Sequence, residues 1–327
     1  MGAVVREVFF QGDVNLLLSH LENVLVGQKH IVELSLATFF AGGHLLLEGP
    51  PGVGKTTLAR SFSRLMYGSF HRIQMTTDLL PGEILGILRP NIEGRDFEFR
   101  PGPLFANVVL ADELNRTSPK TQAALFEAMA EGTVSMDGKT YLLPRPFFVV
   151  ATQNPIEHHG VFPLAESQLD RFMMQVSLSL PERNFELEIY REMVRKKEKR
   201  EVAYSQGESS EKLQPLLSVA RILEIKEIVN RIYVEDSVLE YAISIVLNTR
   251  KHPEIGFGVS VRGGIQYLNA ARALALVRGR DFLTPKDVMD CAEPVLAHRL
   301  RLVNGDSDFQ AKAKLIKEII EQTEVPR

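Results

Sequence analysis

The sequence predicts an α/β domain with a parallel central sheet, followed by a small all-α domain. Short apolar runs recur through the first half of the chain and are typical of buried parallel strands. Segments of helical period separate these runs, and the predicted elements after Leu216 are all helical. With 327 residues and a mass of 36.7 kDa, the chain is long enough to form two hydrophobic cores.

The strands and helices follow from these periods. Strands are predicted at Leu45–Leu47, Phe70–Met75, Val108–Ala111, Phe147–Ala151 and Met174–Leu178. Helices are predicted in the first domain at Leu16–Val26, Lys29–Ala41, Leu58–Tyr67 and Thr121–Ala130. Helices are predicted in the second domain at Ile222–Ile232, Val238–Thr249, Gly263–Val277 and Lys286–Leu302.

Changes of composition divide the chain. Residues 1–181 carry the strand–helix alternation, residues 182–215 form a charged helix and a polar linker, and residues 216–327 form the helical domain. Residues 77–105 contain too many glycines and prolines for one long helix, so we expect an insertion of short elements. Residues 132–144 contain an Asp-Gly pair between two alternating runs, which is a strong hairpin signal.

Composition also excludes several classes of protein. The net charge is −3 and the mean hydropathy is −0.03, so the overall charge does not favour nucleic acid as a partner. The basic run at residues 195–200 is interpreted as a solvated helix end. The longest uncharged stretch, residues 34–47, is shorter than a membrane span of ~18 residues, and the N-terminus has no signal-peptide core. We therefore expect a cytoplasmic protein with Cys291 as a buried core thiol.

One segment matches the phosphate-binding pattern G-x-x-x-x-G-K-[ST], with the sequence Gly49-Pro50-Pro51-Gly52-Val53-Gly54-Lys55-Thr56. It lies between a predicted strand and a predicted helix that begins near Thr57, which is the context such a loop requires. Glycines turn backbone N–H groups toward phosphate oxygens, and a helix N-terminus favours anions. Lys55 is expected to neutralise the β- and γ-phosphates and Thr56 to bind Mg²⁺.

Two acids follow the third predicted strand. In parallel α/β sheets, ligands bind at the carboxyl ends of the strands, so Asp112 and Glu113 are expected to face the phosphates. Consecutive residues of an extended strand point in opposite directions, so the two acids are assigned different tasks. Asp112 would orient Mg²⁺, and Glu113 would polarise the attacking water. Asn154, after the fourth strand, is a candidate for holding that water.

With these residues in view, the sequence resembles AAA+ ATPases and, within them, the MoxR family, over nearly its whole length. Further segments that carry the resemblance are Val26–Gln28, Asp78–Pro81, Arg100–Phe105, Ala111–Arg116, Pro119–Gln122, Ala151–Pro155, Phe162–Phe172 and His298–Leu300. The resemblance implies a P-loop αβα nucleotide-binding domain followed by a helical lid. Residues 77–105 would be the helix-2 insert of this family, and the hairpin near 132–144 its pre-sensor-1 insert.

The resemblance also implies a homo-oligomer, usually a hexameric ring, with ATP or ADP held between neighbours. Gly27 and Gln28 would then lie by the adenine, and Arg171 resembles an arginine finger that reaches into the next subunit's site. The structural alternative for Arg171 is a salt bridge to Asp170 or another nearby acid. Weaker candidates for contacts across the interface are Arg100 and Arg116.

Arg262 is similar to the sensor-2 arginine of the lid, and the sequence leaves open whether it contacts its own nucleotide or a neighbour's. Many relatives have Pro after the preceding Ser and Ala after the Arg, whereas this chain has Val261 and the pair Gly263-Gly264. Each Gly costs about 0.5 to 1 kcal/mol in a helix interior. A looser start of the lid helix is therefore expected.

Three functions are weighed. The family implies a remodelling ATPase that acts on a protein client, often with partners that bear von Willebrand factor A domains. A DNA-translocating motor is the second reading, and a P-loop small-molecule phosphotransferase, with Glu113 aligning an acceptor hydroxyl, is the third. A GTPase is not expected, because no Asn-Lys-x-Asp or Thr-Lys-x-Asp segment occurs. His158 and His159 suggest a metal pair, but a third ligand is not evident, which favours a solvated loop.

Overall fold

The computed structural model describes residues 2–66, 68–90, 97–154, 161–191, 193–194, 216–305 and 308–326, with the backbone alone for residues 2–9. Its central sheet has five parallel strands: β1 (Leu45–Glu48), β2 (Phe70–Gln74), β5 (Val108–Asp112), β8 (Phe148–Gln153) and β9 (Met174–Ser177). Their order across the sheet is β2-β5-β8-β1-β9. The five apolar runs thus form the predicted strands.

The shared direction of the strands gives the sheet two distinct ends. At the carboxyl end, the chain leaves β1 at Glu48, β5 at Asp112 and β8 at Gln153. At the amino end, His44 precedes β1 and Met173 precedes β9. The carboxyl end is thus the side of the sheet where its strands finish, and the amino end is the side where they begin.

Helices cover both faces of the sheet. The helices of the first domain are α1 (Gly2–Val24), α2 (Lys29–Phe40), α3 (Lys55–Leu65), α4 (Pro81–Leu85), α5 (Pro119–Glu131) and α6 (Glu166–Leu169). Alternate residues of a strand point to opposite faces, so Leu45 and Leu47 join one core cluster while Leu46 joins the other. On the first face, the rings of Phe39, Phe62 and Phe148 pack together, with centroids 5.1 to 5.5 Å apart. The αβα architecture is confirmed.

Two antiparallel hairpins project from this core. Strands β3 (Gly86–Pro90) and β4 (Phe97–Pro101) follow α4, and strands β6 (Thr133–Met136) and β7 (Lys139–Leu142) follow α5. Asp137 and Gly138 both have positive φ, 50° and 71°, as the tight turn of a two-residue hairpin requires. Phe99 stacks on Tyr141 with ring centroids 4.0 Å apart, so the two hairpins contact each other.

The C-terminal region is mainly helical. Its helices are α7 (Val219–Val229), α8 (Asp236–Thr249), α9 (Val261–Val277), α10 (Pro285–Leu296) and α11 (Phe309–Gln322). The helix predicted over Lys286–Leu302 ends early, because residues 297–299 form a 3-10 turn and β11 (Arg301–Leu302) pairs with β10 (Ile255–Phe257). The region is therefore not entirely α. Helical periodicity did not reveal this change, since the turn is held by contacts with distant residues.

The C-terminal helices pack against α2 in a continuous core. At the C-terminal end of α9, the guanidinium of Arg278 donates to Glu33 of α2 at 3.0 Å and to Asp290 of α10 at 2.8 Å. At the end of α2, Lys226 of α7 donates to the carbonyl of Phe39 at 2.6 Å. Burial lowers the pKa of Lys226 to about 8. None of the helices within the described ranges has the length and apolar character needed to cross a membrane.

Candidate functional site

The phosphate-binding motif, Gly49–Thr56 with Thr57 after it, lies at the carboxyl end of β1. Gly49 has φ +149°, and a Cβ there would lie 2.4 Å from the carbonyl oxygen of Leu178. Gly54 has φ +96° and precedes the first residue of α3. Only glycine accepts these positive φ values and the close contact with Leu178 without strain. The loop ends at the N-terminus of α3. This is the geometry that binds phosphate through backbone N–H groups.

Lys55 lies at the carboxyl ends of two strands. Its Nζ donates to the carbonyl of Gly49 at 2.7 Å and to that of Gln153 at 3.3 Å. Asn154 comes directly after Gln153, which brings it to the same end of the sheet. The residues predicted from the loop and from the strand after it therefore lie beside one another.

Asp112 and Glu113 are held from β5 and β8. The hydroxyl of Thr152 donates to Asp112 Oδ1 at 2.6 Å and accepts from the backbone N–H of Glu113 at 2.9 Å. Glu113 has φ 58° and ψ 50°, a left-handed conformation that is costly for a residue with a side chain. Such strain is concentrated at functional sites in proteins, which supports a role for Glu113 in the chemistry.

The expectation that the two acids point in opposite directions is wrong. Arg72 donates to Asp112 Oδ2 at 2.6 Å, and Gln74 donates to Glu113 Oε2 at 2.8 Å. Arg72 and Gln74 are two apart on β2 and share one face of that strand. Both carboxylates therefore turn toward the same face of β2. Side chains alternate only along an extended strand, and Glu113 is not extended. Nε of Arg116, a candidate for contacts across the interface, lies 3.3 Å from Glu113 Oε2 in the same chain.

The residues assigned to Mg²⁺ suit that ion. Thr56 offers a hydroxyl oxygen and Asp112 a carboxylate, which are ligands that Mg²⁺ prefers. The positive charge of Arg72 against Asp112 indicates that this place accommodates a cation. Both oxygens of Asp112 already accept hydrogen bonds, so the carboxylate would hold the ion through water or after Arg72 has moved away.

Gly27 and Gln28 lie beside the phosphate loop. A Cβ on Gly54 would come 3.0 Å from the side chain of Leu25, which precedes this segment by two residues. The amide of Gln28 donates to the carbonyl of Ser179 at 3.1 Å. Gly27 has φ +78°, and the ring of Phe185 lies where its Cβ would be, at 2.4 Å. Phe185 therefore borders the place expected for adenine, a residue that the sequence analysis did not identify.

Arg171 and Arg262 lie at the amino end of the sheet. They line one cavity of about 270 Å³, whose wall includes Gly43, His44 and Met173. From Gly43 to Gly49 the chain extends on the order of 15 to 20 Å along β1. Arg262 is therefore remote from the phosphate loop of its own chain. Among the residues that the structure describes, neither arginine has a carboxylate within ion-pair distance.

The alternative of a salt bridge between Arg171 and Asp170 is wrong, because Asp170 pairs with Arg299 at 2.8 Å. The looser start predicted for the lid helix is also wrong. α9 begins regularly at Val261, and the hydroxyl of Ser260 accepts from the N–H of Gly263 at 3.1 Å. A Cβ on Gly263 would lie 3.0 Å from Cδ of Arg299. The glycine makes room for this arginine.

His44 lines the cavity, and its side chain is neutral. Its Nδ1 accepts from the N–H of Val149 at 3.1 Å, so Nε2 carries the proton and donates to the carbonyl of Met129 at 3.2 Å. Burial lowers the pKa of His44 to about 4. The charge at the amino end is therefore carried by arginines at neutral pH.

Some predictions cannot be placed. His158, His159, Pro155 and the basic run at 195–200 lie outside the described residues. Arg100 is exposed on β4. In the described ranges there is no group of three or more His, Cys, Asp or Glu side chains suited to a metal ion.

The sequence analysis gave no role to several site residues, which are Arg72, Gln74, Thr152, Phe185 and Arg299. For four of them a signal was present. Arg72 and Gln74 flank Ile73 in an alternating strand, so long polar side chains share the face opposite to a core residue. Thr152 and Arg299 lie within Ala151–Pro155 and His298–Leu300, two of the segments that carry the family resemblance. Phe185 contacts the site from a distant position in the chain and has no local pattern.

Comparison with known proteins identifies the family. Residues 44–174 match the model of the ATPase family associated with various cellular activities (AAA), and residues 247–323 match the AAA lid domain. An uncharacterised protein of Bacillus subtilis, YeaC, is 42% identical over 97% of both chains. Chaperone MoxR1 of Mycobacterium tuberculosis is 40% identical over 86% of this chain and 74% of its own.

A solved structure agrees with these matches. The crystal structure of a candidate ATPase from Cytophaga hutchinsonii covers 100% of this chain and 98% of its own, at a TM-score of 0.84 and 33% identity. The two matched ranges contain the phosphate loop, Asp112, Glu113 and most of the C-terminal helices. The chain therefore belongs to the MoxR family of AAA+ ATPases.

Proposed function

We propose that this protein is a ring-forming, Mg²⁺-dependent ATPase that hydrolyses ATP to ADP and phosphate between neighbouring copies, and that it uses the energy to remodel a protein client. One observation carries the proposal. The phosphate loop and the acids lie at the carboxyl end of the sheet, whereas Arg171 and Arg262 lie at the amino end. A single chain therefore holds two halves of a site that it cannot join by itself.

At the carboxyl end, the loop N–H groups and Lys55 hold the triphosphate. Thr56 and Asp112 would hold Mg²⁺, which would supply positive charge to offset that of the triphosphate. Glu113 accepts the proton of the attacking water, and its carboxylate is held by a hydrogen bond from Gln74. Asn154 orients the same water through its side-chain amide.

At the amino end, Arg171 and Arg262 act on the nucleotide of the next copy. Negative charge spreads over the γ-phosphate oxygens during transfer, and an arginine from another subunit stabilises that charge. In comparable systems such an arginine raises kcat by ~10³- to 10⁵-fold. An interface that joins the amino end of one copy to the carboxyl end of the next is head-to-tail, and such interfaces form a ring when the rotation between copies closes. A hexamer is the ring expected for this family.

The client role rests on different observations. A relative that is 40% identical carries the name chaperone. Three large apolar side chains are mostly exposed on and beside the two hairpins: Leu80 (64%), Phe97 (64%) and Leu142 (75%). Exposed apolar groups of this kind suit contact with another protein. We propose that these side chains contact the client or a partner with a von Willebrand factor A domain.

A mixing experiment tests the shared site. Arg171→Ala removes the amino half-site and Lys55→Ala removes the carboxyl half-site, and each variant alone is expected to lose ATP turnover. When the two are mixed, some interfaces pair an intact loop with an intact arginine, so phosphate release should return. Arg231→Ala, an exposed arginine of the C-terminal region, is the control and should keep full activity.

Two results would contradict the proposal. Oligomers that contain both variants and yet release no phosphate would show that Arg171 does not act across subunits. Turnover by an Arg171→Ala variant at the rate of the unmodified protein would remove the arginine from the mechanism altogether.

A further inference from the structure

Arg299 is a buried arginine with no assigned role, although it lies between the two halves of the chain. It ends the 3-10 turn after α10, and only 2% of its side chain is exposed. Burial lowers its pKa to about 10, which keeps the side chain charged at neutral pH. A buried charge is costly unless every donor is satisfied, so its contacts indicate what the position requires.

On the side of the first domain, Arg299 bonds the residues that flank Arg171. Nε donates to Asp170 Oδ1 at 2.8 Å, and the terminal nitrogens donate to the carbonyls of Phe172 at 2.7 Å and Met173 at 3.2 Å. The residue before Arg171 and the two residues after it are thus held by one guanidinium. The backbone that carries Arg171 has little freedom to move.

On the side of the lid, the same guanidinium bonds α9, the helix that carries Arg262. It donates to the side chain of Gln266, one turn after Arg262. It also donates to the carbonyl of Val295 in α10. Gly263 directly follows Arg262 in α9. Because glycine has no Cβ, Arg299 can approach the helix closely at this position. The planar fork of arginine satisfies acceptors in several directions at once, which lysine cannot do.

We infer that Arg299 is a positioning residue that fixes Arg171 and Arg262 relative to each other, so that both reach one triphosphate on the neighbouring copy. This inference rests on the proposed function. It adds that the lid and the first domain must be joined at this point for the pair of arginines to act. Misplacement of a catalytic group by about 1 Å can cost ~10²-fold in rate, which sets the expected size of the effect.

The test uses Arg299→Gln in the full-length chain. We expect kcat to fall ~10²-fold with KM and ATP affinity unchanged, because the phosphate loop of the same chain is intact. Mixing with Lys55→Ala should restore turnover, since that partner supplies an intact amino half-site. Mixing with Arg171→Ala should not, because both variants are defective in the same half-site. ATP affinity is measured by calorimetry and turnover by phosphate release.

Arg278→Gln is the matched control. Arg278 also joins the lid to the first domain, through Glu33, but at the opposite end of α9. If Arg299 only helped to dock the lid, both variants would lower kcat equally and would respond equally to mixing. We expect Arg278→Gln to lower the thermal stability while its folded form keeps kcat close to that of the unmodified protein.

Several outcomes would overturn the inference. These are a kcat for Arg299→Gln no lower than for Arg278→Gln, a loss of ATP affinity, and restored turnover with Arg171→Ala. If Arg299→Gln does not fold, Gln266→Ala breaks only the contact with the lid and is subjected to the same mixing test. Rescue between Arg171→Ala and Lys55→Ala without rescue of the Arg299 variant would refute this inference alone, whereas failure of both would refute the proposed function.

Discussion

The two ends of the central sheet differ in charge and in completeness. At the carboxyl end, the acids Asp112 and Glu113 lie beside a loop built for anions, and each acid is already contacted by a side chain of β2. At the amino end, Arg171 and Arg262 face a cavity and no described carboxylate balances them. One end combines a phosphate-binding loop with two acids, and the other has two arginines that no carboxylate of the described residues pairs.

This difference supports the place that we propose for the reaction. Two arginines that line one cavity repel each other, and an anion bound between them would relieve that repulsion. The phosphate loop of the same chain cannot supply that anion, because β1 separates the two places by on the order of 15 to 20 Å. The source that we propose for the anion is a triphosphate bound at the carboxyl end of a second copy.

The largest effect at the carboxyl end is expected from Glu113→Gln. Turnover should fall ~10²- to 10⁴-fold, because the substitution removes the base without changing the phosphate loop. ATP should still bind with similar affinity in calorimetry. Glu98→Gln, on exposed β4, is the control and should leave phosphate release unchanged. A Glu113→Gln variant that hydrolyses ATP normally would show that another group activates the water.

A smaller effect is expected from Arg72→Gln. Arg72 pairs with Asp112 through a side chain that is 47% exposed, so it competes only modestly with a metal ion. The Mg²⁺ concentration needed for half-maximal ATP binding should fall roughly twofold to fivefold. Arg64→Gln on α3 serves as the control. A higher Mg²⁺ requirement would instead mean that Arg72 holds Asp112 in the geometry that the ion needs.

The smallest effect concerns His44 at the amino end and is a change in stability. Burial lowers the pKa of His44 from its ordinary value of 6.5 to about 4 in the folded chain. As the pH falls, the unfolded chain therefore binds a proton at this histidine before the folded chain does. The stabilising effect is complete above pH 6.5 and is lost as the pH falls toward 4. The free energy of unfolding should drop by about 2 kcal/mol between pH 7 and pH 5 from this group.

His44→Gln keeps a donor and an acceptor but cannot titrate. Urea unfolding of this variant should show a smaller loss of stability between pH 7 and pH 5 than the unmodified chain shows. His298, buried nearby with a lowered pKa, contributes in the same direction and is unchanged in both proteins. Equal losses in the two proteins would show that His44 does not titrate in this range.

Most of the fold and half of the site could be predicted from the sequence. The strands are buried on both faces, so their apolar runs are visible without a structure. The phosphate loop is contiguous, and its glycines and Lys55 are recognised by spacing alone. The turn at Asp137-Gly138 is equally local. These features depend on residues that are neighbours in the chain.

The rest depends on residues that are far apart in the chain. Arg72 reaches Asp112 across 40 positions, and Arg299 reaches Asp170 across 129. Sequence patterns report periodicity and local turns, and they contain no record of which distant side chains meet. The sequence by itself determined that the chain has a nucleotide loop, two acids and two candidate arginines. Only the tertiary structure decided that loop and arginines lie at opposite ends of the sheet, because the packing of the lid against α2 fixes the position of Arg262.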